Sequence, residues 1–157
     1  MTTRRNWLLT LFGALATSMA VAGAWGTGLL ENDDALDFLD MFVENPDARY
    51  ADLVPNSLGE VAYNDGYLYS SDATFALVAA EIVAAMNGNP SDDLPPEVLA
   101  WAKNQDKPDD LTFIRARKIL DRVLNEETSE LAQLWAEDGT LYAAFKSAIA
   151  DLRSRLD

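Results

Sequence analysis

The chain of 157 residues has the length of one domain, and 49% hydrophobic residues is the composition of a folded globular protein. It contains no Cys and no His, which excludes disulfides, thiol chemistry, zinc sites built on those ligands and His-dependent catalytic triads. The net charge is −14, and Arg49 is the only base between Gly23 and Ala100, so nucleic acid is not expected as a partner because its phosphates would be repelled.

The first 22 residues have the pattern of an export signal. Arg4 and Arg5 precede an apolar stretch, and Ala20-Val21-Ala22 fits the small-residue pattern that comes before a cleavage site. The two arginines and their surroundings also resemble the twin-arginine export motif. We expect cleavage near Ala22 and a periplasmic or extracellular protein. Two alternatives stay open: residues 1–22 are retained as an N-terminal anchor, the only route to a membrane, or translation starts at Met19 and the protein is cytoplasmic.

The segment that follows predicts the first helix of the folded part. Asn32 or Asp33 can cap its N-terminus, and Asn45-Pro46 is expected to end it. Spacings of three and four predict a single buried face, whose members are Ala35, Leu36, Phe38, Leu39 and Phe42.

One further helical turn is expected at Tyr50–Leu53. Residues 54–70 are less regular. Asn64-Asp65-Gly66 stands between two short β-prone runs, which is a hairpin signal, so a small β-hairpin is expected near residues 60–70.

The rest of the chain predicts five more helices. The first of them is capped by Ser71 or Asp72 and closed by Gly88. It is apolar on nearly all sides, which is typical of a helix at the centre of a bundle. A short helix follows at 97–103, then a long one that Asp109-Asp110 caps, one after Thr128-Ser129 and a last one from about Thr140. The long helix is predicted to bury Leu111, Ile114, Ile119, Leu120 and Val123. The expected fold class is all-α, an irregular bundle of five or six helices in which residues 23–157 form a single domain.

Three segments carry a resemblance to a known family. The stretch GAWGTG at 23–28, followed by ENDDALDF at 31–38, resembles the N-terminal signature of the bacterial DUF4259 family. The segments ALVAAEIVAAMNG and SELAQLW…DLRSRL are similar to the same family, so the resemblance covers most of Gly23 to Leu156. This is a family of unknown function, and the resemblance therefore implies no activity, cofactor or catalytic residue. Family members typically begin at the motif itself, whereas 22 residues precede it here.

The opening motif is expected to lie as a plug against the bundle. Trp25 supplies apolar area that would hold a segment otherwise prone to fraying. Gly26 and Gly28 allow close approach of the backbone. Trp101 and Trp135, like Trp25, are expected to be core anchors rather than a platform for a ligand.

Two sets of polar residues are candidate sites. Asn32, Asp33, Asp34 and Asp37 form either a cap with a solvated helix face, or a carboxylate site for a divalent cation or a basic partner group. Their spacing is not that of an EF-hand, so neither a metal nor a cofactor is predicted. Glu81, inside an apolar helix, is either paired with an Arg or with other donors, or is a functional carboxylate with a raised pKa.

Three functions remain open from the sequence. The first is a small acidic, exported, non-enzymatic binding or interaction protein that engages a basic protein or peptide. The second is a carboxylate-based hydrolase that uses Glu81 with Asp33 or Asp37 as weak catalytic candidates. The third is a structural accessory domain. A cleft joining Asp33 or Asp37 to Glu81 would favour the hydrolase, and a flat acidic surface would favour the binding protein.

Overall fold

Seven α-helices account for most of residues 26–157, the part of the chain that the computed structural model describes. This confirms the all-α class, although five or six helices were predicted and the described residues form seven. None of these helices is long and apolar enough to span a membrane. In chain order they are α1 (Asp33–Glu44), α2 (Pro46–Tyr63), α3 (Ser70–Met86), α4 (Pro96–Ala102), α5 (Asp110–Val123), α6 (Glu130–Ala136) and α7 (Gly139–Arg155).

Side-chain caps begin four of the helices. The Asn32 side chain accepts from the Ala35 amide at 2.8 Å and starts α1, and Asp109 accepts from the Thr112 amide at 2.7 Å and starts α5. Ser129 and Asp138 act in the same way for α6 and α7. These residues satisfy amide groups that a helix N-terminus leaves unpaired, as the sequence predicted for α1, α5 and α6.

The hairpin predicted near residues 60–70 is wrong, because α2 continues to Tyr63. Val54, Leu58, Val61 and Ala62 are spaced as one helical face and are all buried, and this burial outweighs Pro55 within the helix. The β-bridge found here is an isolated parallel one between Leu68 and Ser129. Residues 64–69 form a linker instead of a hairpin. Helix α2 is the additional element that brings the number of helices among the described residues to seven.

Helix α3 lies at the centre and packs against α1, α2 and α4–α7. Thirteen of its residues, from Ala73 to Met86 with one exception, are buried, as its all-round apolar pattern predicted. Its predicted caps, Ser71 and Asp72, are wrong: Tyr69 occupies the cap position, and the Ser70 amide donates to the Glu130 carboxylate on α6 at 2.8 Å. Gly88 closes the helix at φ 90°, a left-handed conformation that favours glycine.

Three residues predicted to be buried are exposed instead. Leu36 is 45% exposed because it lies about 100° around α1 from Ala35. Leu111 and Ile114 lie about 140° or more around α5 from its buried residue Ala116 and are 46% and 52% exposed. The other residues predicted for the buried faces of α1 and α5 are buried.

Two of the predicted tryptophan anchors contribute to the core. Trp135 is buried and stacks on Phe145 with ring centroids 5.4 Å apart. Trp101 is partly buried and meets Phe42 edge to face at 5.0 Å. Trp25 lies outside the described residues, so its anchoring role stays a prediction.

Candidate functional site

Four carboxylates of α1 form a row along its solvent side, which we call the acidic ridge: Asp33, Asp37, Asp40 and Glu44. Their spacings of four, three and four place them on neighbouring turns of one side of the helix. All four are exposed, and within residues 26–157 none of them forms an ion pair. The ridge is therefore a line of like charges that the described part of the chain does not neutralise.

Asp34 stands beside the ridge and is partly buried. Burial raises the pKa of this carboxyl, and the charges of Asp37 and Asp33 raise it further. The exposed Leu36 side chain lies on the same part of α1. The surface thus combines mutually repelling carboxylates with one apolar side chain.

The loop before α1 is closed by a carboxylate. The Gly28 amide donates to Glu31 Oε2 at 2.6 Å. A Cβ at Gly26 or at Gly28 would overlap the Glu31 carboxyl group. The backbone at these two glycines therefore lies close to the Glu31 side chain, which is the close approach that glycine allows. Gly23 to Trp25, the start of the predicted plug, lie outside the described residues.

Glu81, on α3, is held in a buried ion pair. Its side chain is 3% exposed, and both of its oxygens accept from Arg155 of α7 at 2.6 Å. Arg155 also donates to Asp151 at 2.8 Å. Burial raises the pKa of Glu81 against the opposing effect of the guanidinium, and the hydrogen bonds that Arg155 donates to Glu81 raise the pKa of Arg155. Of the two alternatives for Glu81, pairing with an Arg is confirmed.

The structure places the weak catalytic candidates in different settings. Asp33 and Asp37 are exposed on α1, whereas the charged groups that influence Glu81 are Arg155, Asp151 and Asp93. Glu81 thus joins α3 to α7, and the hydrolase that would combine it with Asp33 or Asp37 gains no support from this arrangement. Within residues 26–157 no group of three or more acidic side chains is placed to hold a metal ion.

A cleft of about 580 Å³ at the C-terminal end of α2 is a feature that the sequence reasoning missed. The linker 64–69 forms part of its wall, and Tyr63, Tyr67 and Tyr69 are 54%, 48% and 61% exposed there or beside it. The three tyrosines within seven residues are the available signal in the sequence, but tyrosine is also a β-prone residue, and the sequence pattern here predicts a hairpin.

Comparison with known proteins gives one family match. A model described as "Domain of unknown function (DUF4259)" matches residues 23–148, from the opening motif into α7. No curated protein and no solved structure matches the chain.

Proposed function

The chain belongs to the DUF4259 family, a domain of unknown function, and we propose that it is a small non-enzymatic binding protein that engages a basic protein or peptide. The proposed contact surface is the acidic ridge of α1. The observation that carries the proposal is that the four exposed carboxylates of the ridge have no ion-pair partner in the described part of the chain.

Like charges on one helix side repel each other, and a basic partner would remove this repulsion. Burial is the largest cause of the raised pKa of Asp34, and the charges of Asp37 and Asp33 add to it, in line with repulsion among these carboxylates. Leu36 adds exposed apolar surface beside the carboxylates. An acidic surface of this kind would speed the encounter with a basic partner and select against acidic ones.

Pentalysine tests the ridge directly. We expect it to bind the chain at low ionic strength and to bind the variant Asp37→Asn/Asp40→Asn/Glu44→Gln about tenfold more weakly, since three exposed charge contacts of about 0.5 kcal/mol each are lost. Isothermal titration calorimetry at low and high salt would measure both affinities, and high salt should weaken binding to the parent.

A matched variant separates the ridge from overall charge. Glu97→Gln/Asp106→Asn/Glu137→Gln removes the same number of exposed charges elsewhere. It should bind pentalysine nearly as well as the parent. If both triple variants lose affinity equally, only net charge matters and the ridge is not the contact surface.

We further propose that the chain is exported after cleavage near Ala22, which rests on Arg4-Arg5, the apolar stretch and Ala20-Val21-Ala22. N-terminal sequencing of material recovered outside the cytoplasm should begin at Gly23. Replacing Arg4 and Arg5 by Lys should block export if the twin-arginine route is used, while unchanged export would indicate the general secretion route. Protein that stays whole in the cytoplasm, or that begins at Met19, would contradict export.

A further inference from the structure

The cleft at the end of α2 combines tyrosine rings with an excess of carboxylates. Its walls carry Glu60, Asp65 and Asp72, all three exposed and none in an ion pair within residues 26–157. The rings of Tyr63 and Tyr67 lie beside them. Its volume of about 580 Å³ falls within the usual range of small-ligand sites, roughly 300–1,000 Å³.

Among the lining residues that the structure describes, Arg122 is the one basic side chain, and its hydrogen bonds hold the wall of the cleft in place. Its two terminal nitrogens donate to Thr128 Oγ1 at 3.1 Å and to the Gly66 carbonyl at 2.8 Å. Its Nε is buried without a partner. Arg122 keeps its positive charge, but the lining sets three carboxylates against this one guanidinium, so the cleft walls carry an excess of negative charge.

Two other cations lie close by but outside the lining. Lys118 Nζ is 4.7 Å and the Arg115 guanidinium carbon 5.5 Å from the centre of the Tyr63 ring. Both belong to α5 and stack on Tyr63. The Tyr67 ring instead meets Tyr69 edge to face at 5.4 Å.

The linker that carries Tyr67 is fixed in place. The Leu68 amide donates to the Thr128 carbonyl at 2.8 Å, and the Glu130 amide donates to the Leu68 carbonyl at 2.9 Å. The Tyr67 hydroxyl donates to Gln133 Oε1 at 2.9 Å. A half-exposed ring held by its hydroxyl and by its neighbour's backbone is preorganised, which lowers the entropy cost of binding.

From these features we propose that the cleft binds a primary alkylammonium group, such as that of a lysine side chain or of a free diamine. Carboxylates attract the ammonium charge, and a tyrosine face stabilises it through cation–π attraction. The chain uses the same pairing internally, where Lys146 Nζ lies 4.2 Å from the centre of the Tyr142 ring. This site is separate from the acidic ridge and does not depend on the function proposed for it.

The test is a titration of the full chain, followed by ¹H–¹⁵N NMR, with the capped tripeptide Gly-Lys-Gly. We expect saturable shifts concentrated in residues 59–72 and none with the same peptide acetylated at the lysine Nζ. A second arm uses 1,4-diaminobutane. If the tripeptide binds, the ammonium group that the cleft recognises is that of a lysine side chain. If the diamine alone binds, the ligand is a free amine. Shifts that spread over all acidic surfaces without saturating would overturn the proposal.

Variants test which groups make the site. Tyr67→Ala and Asp65→Asn/Asp72→Asn should each weaken binding about tenfold, whereas Tyr67→Phe, which keeps the ring but loses the hydroxyl bond to Gln133, should weaken binding less than Tyr67→Ala. Glu97→Gln/Asp106→Asn is the charge-matched control, and thermal melts verify that every variant is folded. Unchanged affinity in Tyr67→Ala would overturn the assignment. The triple variant of the acidic ridge should bind the tripeptide as well as the parent does. The proposal for the cleft and the proposal for the ridge can therefore be contradicted independently of each other.

Discussion

Replacing Glu81 by Leu is expected to lower the free energy of unfolding by about 3–5 kcal/mol at neutral pH. The pair with Arg155 is buried, with side-chain exposures of 3% and 16%, and it joins α3 to α7 by two hydrogen bonds of 2.6 Å. Without Glu81 the guanidinium keeps, among residues 26–157, its exposed partner Asp151 and the Asn89 carbonyl, so a largely buried charge loses its main compensation. Urea or thermal unfolding followed by circular dichroism would measure the loss.

The double variant Glu81→Leu/Arg155→Met should recover most of that loss. The cost of burying the carboxylate raises the pKa of Glu81 even with Arg155 in place, which shows that desolvation is a large part of the balance. An apolar pair of similar size avoids this cost, and such replacements are often neutral or stabilising. If the losses of the two single variants simply add in the double variant, the two side chains do not act as a pair.

The two single variants should differ in their response to pH. In Arg155→Met the carboxyl loses the group that lowers its pKa, so the folded-state pKa of Glu81 rises further above its unfolded value. A raised folded-state pKa contributes stability that is present below the unfolded pKa and is lost as pH rises through the folded one. Arg155→Met should therefore regain stability relative to the parent as pH falls from neutral toward the ordinary pKa of a glutamate, and Glu81→Leu should not.

Arg153→Met is the matched control for the same helix. Arg153 pairs with Asp121, whose side chain is 72% exposed, and exposed pairs contribute about 0–1 kcal/mol. We expect a small loss that hardly depends on pH. An equal loss in Arg153→Met and Arg155→Met would mean that any arginine of α7 matters, and the buried pair would have no special role.

Much of this fold was predictable because its signals are local. Asn32 and Asp109 are cap residues directly before helical patterns, and Gly88 ends a helix in a conformation that glycine favours. The all-round apolar pattern of α3 predicted its central position, since a helix with no polar face has to be covered on every side.

The errors arose where tertiary contacts outweigh local signals. Pro55 and Gly59 are typical of breaks and turns, yet α2 continues through them to Tyr63 because Val54, Leu58 and Val61 are buried on one face. The hairpin signal at Asn64 instead marks a side-chain turn, in which its Oδ1 accepts from the Gly66 amide at 2.8 Å.

For the candidate sites, the sequence predicted which types of residue are involved but not which residues lie next to each other in the fold. The sequence indicated that Glu81 needs a partner, but Arg155 is 74 positions away, so no local pattern could identify it. The cleft likewise depends on Arg122 and Thr128 holding the linker, and such contacts follow from the packing of α5 beside α2.

Phe42→Ala is expected to lower the free energy of unfolding by about 3–5 kcal/mol, whereas Leu36→Ala on the same helix should cost less than about 0.5 kcal/mol. Phe42 has no exposed surface and meets the Trp101 ring edge to face, so truncation leaves a cavity between α1 and α4. Leu36 is 45% exposed and its removal opens no cavity.

The same pair of variants tests how α1 is rotated on the bundle. The sequence pattern alone places both residues on one buried face, which predicts a large loss for each. The structure turns Leu36 toward the solvent beside Asp37, where the acidic ridge is accessible. Chemical denaturation of both variants decides between the two orientations. A loss of more than about 2 kcal/mol for Leu36→Ala would mean that α1 is rotated and that part of the ridge lies against the bundle, which would remove the surface proposed to bind a basic partner.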